Sequence, residues 1–182
     1  MAEFNNSYLL TIENEGGYSA THNEDYGGET YMGIARRWHP AWQGWAAIDA
    51  KKAEGHIPHG QGDLVPSVWV RSFYMEEFWK KLKCQELRNQ VFANQLFDHA
   101  VTSGHEDAVK LAQLACGSSV DGRIGPKTIE RINSGGTLEA RVLNRRMFKL
   151  RTCFYLEASD KGIAQEANLP SWISRTVKCY TG

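Results

Sequence analysis

Apolar residues recur at helical spacing through most of this chain. Phe4, Tyr8, Leu9 and Ile12 fall three and four residues apart, which predicts a first helix with one apolar face. Further on, Trp45, Ile48 and Ala53 pattern a helix over 42–53. Val68, Trp69, Phe73, Phe78, Trp79 and Leu82 pattern a strongly apolar one over 68–82. Phe92, Leu96, Ala100 and Ser103 share a face over 89–103, with Gly104 as its stop, and Ala108, Leu111, Ala112 and Ala115 continue over 106–116. A short helix within 118–133 and a long one over 138–158 follow. Residues 34–40 read as a short helix stopped by Pro40, residues 55–66 and 162–170 as loops, and 172–177 as one or two helical turns. The alternation expected of strands is confined to one place. There, Gly27-Gly28 supplies a tight turn and residues 30–32 pair back as a strand. The pattern predicts a mainly α fold with a small β-hairpin or loop beside the first helix.

The stretch ENEGGYS, Glu13 to Ser19, joins that helix to the hairpin. Gly16-Gly17 reads as a helix C-cap, which puts Glu15 in the last turn, against the negative end of the helix dipole. A carboxylate so placed, with apolar neighbours, suits general-acid chemistry. The ribbon that follows would bring Asp25 and Thr30 to face Glu15 across a cleft. Taken alone, Glu15 is more often a solvated surface residue, because short motifs are weak signals. Asp98, inside the 89–103 helix, reads instead as a buried acid bonded to neighbouring helices.

Glu15-Gly16-Gly17-Tyr18, then Asp25, Gly27-Gly28, Thr30 and Gly33-Ile34, resembles the signature of glycoside hydrolase family 108. Tyr26 stands where that family usually has Pro. FYMEEFWKKL resembles the helix after the family's catalytic loop. FDHAVTSG together with DGRIGPKT resembles the peptidoglycan-binding segment that follows the hydrolase region, with Thr102 in place of the usual Asn. Family members resemble lysozymes, are N-acetylmuramidases of phages and bacteria, and are also called secretion activator proteins.

The resemblance implies a lysozyme-like helical domain with a catalytic region over 1–90 and a peptidoglycan-binding-like helical region over 91–182, packed as one unit. It implies cleavage of the β-1,4 bond between N-acetylmuramic acid and N-acetylglucosamine, with Glu15 as catalytic acid. Asp25 and Thr30 would hold or activate water, as in phage-type lysozymes, and Tyr18, Gly28 and Tyr31 would contact the sugar. A lytic transglycosylase and a non-catalytic wall-binding or secretion-accessory protein remain as alternatives.

Composition narrows the setting. The chain has 182 residues, 42% of them apolar, enough for one core. No apolar run approaches a membrane span, and the N-terminus lacks the basic flank and apolar segment of a signal peptide. The expectation is a protein made in the cytoplasm, with a holin or secretion route for export, acting on bacterial peptidoglycan after export or lysis. A monomer is expected. The six His and four Cys show no metal-ligand spacing, so no metal or cofactor is expected, and free thiols are the default.

Equal numbers of acidic and basic residues, 21 each, conceal an asymmetry. Through residue 60 there are four Lys/Arg against eight Asp/Glu; the remainder carries seventeen against thirteen. The basic stretch 123–151 reads first as a solvated helix face and second as a surface for the anionic wall. It carries no nucleic-acid reading motif.

Overall fold

The computed structural model describes residues 1–20 and 28–182, and only the backbone of 163–165. The fold is mainly helical with one small antiparallel sheet, as the apolar pattern predicts. In chain order it runs α1 (Phe4–Ile12), β1 (Tyr18–Ser19), β2 (Thr30–Tyr31), β3 (Ile34–Ala35), α2 (Gly44–Glu54), α3 (Ser67–Tyr74), α4 (Gln90–Ser103), α5 (His105–Cys116), α6 (Pro126–Asn133), α7 (Thr137–Ser159) and α8 (Ile163–Thr181). A π turn, Met75–Lys80, extends α3, and a 3-10 turn, Cys84–Glu86, precedes α4. Packing divides the chain into two compact units, residues 12–76 and residues 1–11 with 77–182.

The larger unit is organised around α4. Every residue from Phe92 to Ala100 is buried, the polar Asn94, Gln95, Asp98 and His99 included. Burying polar groups costs free energy unless each finds a partner. Ser7 Oγ donates to Asn94 Oδ1 at 2.7 Å and Thr11 Oγ1 to Asp98 Oδ1 at 3.1 Å, which ties α1 to α4. Asp98 also takes Arg151 Nη2 of α7 at 2.5 Å and Arg175 Nη2 of α8 at 2.8 Å. Burial alone would raise its carboxyl. The two guanidinium groups outweigh that and hold it below the usual carboxylate range. The structural reading of Asp98 is thus the observed one.

Two sequence expectations are corrected. Residues 34–40 are not a helix, because the backbone reverses at Met32-Gly33 and sets Ile34, 1% exposed, opposite Tyr31 as a third strand. Residues 162–170 are not a loop, because α8 runs straight through Pro170. Proline removes one helical hydrogen bond. Packing on one face offsets this: Trp172 stacks on Tyr155 at 5.2 Å, Arg175 reaches Asp98, and Thr176 and Cys179 are buried.

His99 supplies a pH test of this core. Its Nδ1 lies 2.9 Å from Tyr155 Oη, and burial, followed by the positive charge of Arg151, pushes its pKa down to about 3. The unfolded chain therefore binds a proton below the ordinary histidine pKa that the folded chain refuses. Stability should fall by about 1.4 kcal/mol per pH unit as pH drops below about 6.5. Denaturant midpoints at pH 6.5 and 5 measure this. His99→Gln should flatten the slope, and an equally steep slope in that variant would assign it elsewhere.

All four cysteines are free thiols; Cys84 and Cys179 are buried. Among the described residues no helix is long and apolar enough to cross a membrane, and no group of three or more His, Cys, Asp or Glu could hold a metal.

Candidate active site

The smaller unit carries Glu15. Helix α1 ends at Ile12, and Glu15 follows in a turn, its N–H donating to the Ile12 carbonyl at 3.1 Å. The expected placement in the last helical turn is therefore corrected. Nor do Gly16 and Gly17 form a left-handed cap, since neither has a positive φ. Glycine at 17 answers a close approach instead: a Cβ there would run into the backbone of Gly60 and sit 2.6 Å from the Gln61 carbonyl oxygen. Tyr18 N–H donates to Gln61 O at 2.8 Å and Gly60 N–H to Tyr18 O at 2.7 Å, so the Gly-rich loop of residues 55–66 runs beside β1.

Strand β2 pairs with β1 in the register Tyr18 to Tyr31 and Ser19 to Thr30. The turn from β2 to β3 has two central residues with positive φ, Met32 at 48° and Gly33 at 76°, the geometry of the tightest hairpins. Tyr74 Oη donates to the Met32 carbonyl at 2.8 Å and braces this conformation, which is unfavourable for methionine. A Cβ on Gly33 would collide with Glu15 Oε2 and lie 2.6 Å from Tyr74 Oη. The Glu15 carboxylate therefore rests against the bare Cα of Gly33, with the Tyr74 phenol alongside.

This arrangement opens onto a cavity of about 280 Å³ lined by Glu15, Gly16, Gly17, Tyr18, Ser19, Thr30, Gly33, His59 and Gly60. Glu15, Tyr18 and Thr30 are brought together, and Asp25 lies outside the described residues. Gly28 has φ 65° but does not line the cavity. Tyr31, read from the sequence as a sugar contact, is 2% exposed and stacks on Trp42; its ring belongs to the core. Tyr18 is only 4% exposed and presents little ring surface. His59 and Gly60 came from a segment whose composition marks it as a loop without saying what it lines. Tyr74 lies on an apolar helix that reads as core.

Beneath the sheet sits a charge cluster. Glu29, 8% exposed, accepts from Tyr18 Oη at 2.8 Å, Arg36 Nη1 at 2.8 Å and Lys52 Nζ at 2.9 Å. Burial raises its carboxyl, and the three hydrogen bonds more than offset this and lower it. Tyr18 is in turn pushed up to about 12 by burial and by Glu29. Arg36 also pairs with Asp49 through two contacts of 2.6 Å, joining α2 to the sheet. The cluster fixes β1, which carries Tyr18 and Ser19, relative to β2, which carries Thr30.

Gly33→Ala should damage the site directly. The methyl group meets Glu15 Oε2, and alanine resists the positive φ, a strain of about 1–3 kcal/mol. A lowered melting temperature is expected. A native melting temperature in this variant would show that the approach of Gly33 to Glu15 is unimportant.

The comparisons with known proteins bear on this geometry. Residues 8–104 match the family described as glycosyl hydrolase 108, a span of more than half the chain that includes Glu15 and the whole lined cavity. The chain belongs to glycosyl hydrolase family 108. Residues 107–177 match the family described as "Predicted Peptidoglycan domain". Among solved structures the chain is similar to SagA of Brucella abortus, with 23% identity and a TM-score of 0.68, over 98% of this chain and 91% of that one. At that identity the likeness concerns the fold. No curated protein matches the chain. The glycosyl hydrolase and peptidoglycan matches make this a peptidoglycan-related protein of glycoside hydrolase type.

Proposed function

We propose that this family 108 protein is an N-acetylmuramidase that hydrolyses the β-1,4 bond between N-acetylmuramic acid and N-acetylglucosamine, acting on the wall after export or lysis. The observation that carries the reading is the placement of Glu15. Its carboxylate lines the same cavity as Thr30, against the Cα of Gly33 and beside Tyr74. A carboxylic acid there protonates the departing glycosidic oxygen, and water supplies the new hydroxyl at the anomeric carbon.

Asp25 and Thr30 are assigned to the water. Thr30 contributes a hydroxyl on the cavity wall, and Asp25 the second carboxylate that glycosidases use as base or nucleophile. Tyr18 shapes one wall. No cofactor enters the scheme, since acid catalysis and distortion of the sugar ring provide the chemistry. The test is the count of new reducing ends when purified peptidoglycan is digested across a range of pH. A rise with time supports the reading. Binding to sacculi with no new ends at any pH would make the chain a wall-binding accessory.

A further inference from the structure

The larger unit holds a trough that the chemistry at Glu15 does not use. A cavity of about 340 Å³ lies between the C-terminal ends of α5 and α6 and the first turns of α7. Its apolar surface comes from Ala115, Leu138, Val142 and Leu143, and Arg131 and Arg146 lie among them. Leu138 is 69% exposed and Val142 41%, large apolar side chains left in water at the mouth. Arg131 also lines a second cavity of about 620 Å³, whose wall carries Arg123 and Lys127.

Arg123 draws electrostatically on Asp121, and Arg146 Nη1 donates to the Ala115 carbonyl at 3.5 Å, but among the described residues no carboxylate pairs directly with any of these four cations. One carboxylate lines each cavity, Glu139 the trough and Asp121 the second, and each accepts hydrogen bonds from the protein itself. Asp121 Oδ1 accepts from Gln113 Nε2 at 2.7 Å and Arg123 N–H at 2.9 Å, and Glu139 Oε2 accepts from Gly136 N–H at 2.9 Å. The buried Gln113 also takes Asp121 N–H and Gly122 N–H on its carbonyl oxygen, so the loop leading to Arg123 is pinned.

Neither cavity contains an aromatic side chain. Flat sugar faces and nucleobases are bound largely by stacking on aromatic rings. Forked guanidinium groups suit carboxylates, and a shallow aliphatic floor suits methyl groups. We propose that this trough binds the peptide stems of peptidoglycan, short acidic peptides in which alanine methyls alternate with free carboxylates. The proposal rests on the reading of the chain as a wall-binding protein, and assigns that binding to the peptide and not the glycan.

The test uses the full chain carrying Glu15→Gln, so that binding is measured apart from cleavage. The probes are a synthetic stem tetrapeptide with free carboxylates, the same peptide with its carboxylates amidated, chitotetraose, and a short single-stranded DNA. Arg131→Ala and Arg146→Ala should each weaken the free tetrapeptide about tenfold, with unchanged melting temperatures, and Arg131→Lys should restore part of the loss. Leu138→Ser should weaken it less. The amidated peptide should bind at least tenfold more weakly to the parent chain, about 1.4 kcal/mol. Equal affinity for free and amidated peptides, insensitivity to both arginine changes, or loss of chitotetraose or DNA binding in Arg131→Ala in place of peptide binding would each overturn the proposal. Any of these would leave the assignment of Glu15 standing, because reducing-end release by the wild-type chain is a separate readout.

Discussion

Glu15→Gln is expected to lower the release of reducing ends from peptidoglycan by about 10²–10⁴-fold, the usual contribution of a positioned general acid. Glutamine keeps the shape of the side chain that rests on Gly33 and loses only the transferable proton, so melting temperature and sedimentation with sacculi should stay native. Among the described residues that line the cavity, Glu15 is the single carboxylate. His59 and Tyr18 are the other proton-bearing rings on that lining, and the Tyr18 hydroxyl is already donated to Glu29. The paired variant His59→Ala separates Glu15 from His59: an active Glu15→Gln beside an inactive His59→Ala would move the acid to the histidine. Losses of similar size in both would assign them a shared proton path.

Asp98→Ala is expected to have the largest effect on stability. Asp98 is fully buried, as is Arg151, and Arg175 is 6% exposed, so removing the carboxylate strands two guanidinium groups where water cannot reach them. Breaking a buried pair from one side costs about 3–5 kcal/mol. For a chain of this size that corresponds to a melting temperature lower by roughly 10 °C, and failure to fold at 37 °C would also agree. The desolvation penalty, and not the attraction itself, dominates this figure. Replacing all three residues by apolar ones of similar volume should therefore recover most of the loss. A single Asp98→Ala variant melting within about 2 °C of the parent, a change below roughly 1 kcal/mol, would show that the triad is solvated.

The mainly helical fold was legible because helices in this chain carry broad apolar faces, as in Phe92, Leu96 and Ala100 of α4. The elements that were misread were decided by tertiary context. Residues 34–40 have apolar spacing compatible with a helix, but two consecutive positive φ values at Met32-Gly33 fold Ile34 back onto Tyr31. Pro170 is a sound breaker signal, overridden by the packing of Trp172, Arg175 and Cys179 against the body of the unit. The candidate site was legible in part. Glu15 and Thr30 lie far apart in sequence terms for any periodicity argument, and it is the family resemblance that links them. The role of Gly33 is invisible to composition, since a glycine in a turn says nothing about which carboxylate lies above it. Tyr31 was misplaced for a related reason: strand alternation shows that Tyr31 and Thr30 face opposite sides, not which side holds the cavity. Gln113 and the unpaired arginines of the trough gave no signal beyond a basic count.

The most direct test of the account is mass spectrometry of the fragments that the wild-type chain and Glu15→Gln release from purified peptidoglycan. The account predicts fragments ending in reducing N-acetylmuramic acid, lost in the variant. Anhydro-sugar ends would contradict hydrolysis and make the chain a lytic transglycosylase, and undiminished fragments from Glu15→Gln would remove Glu15 from the chemistry.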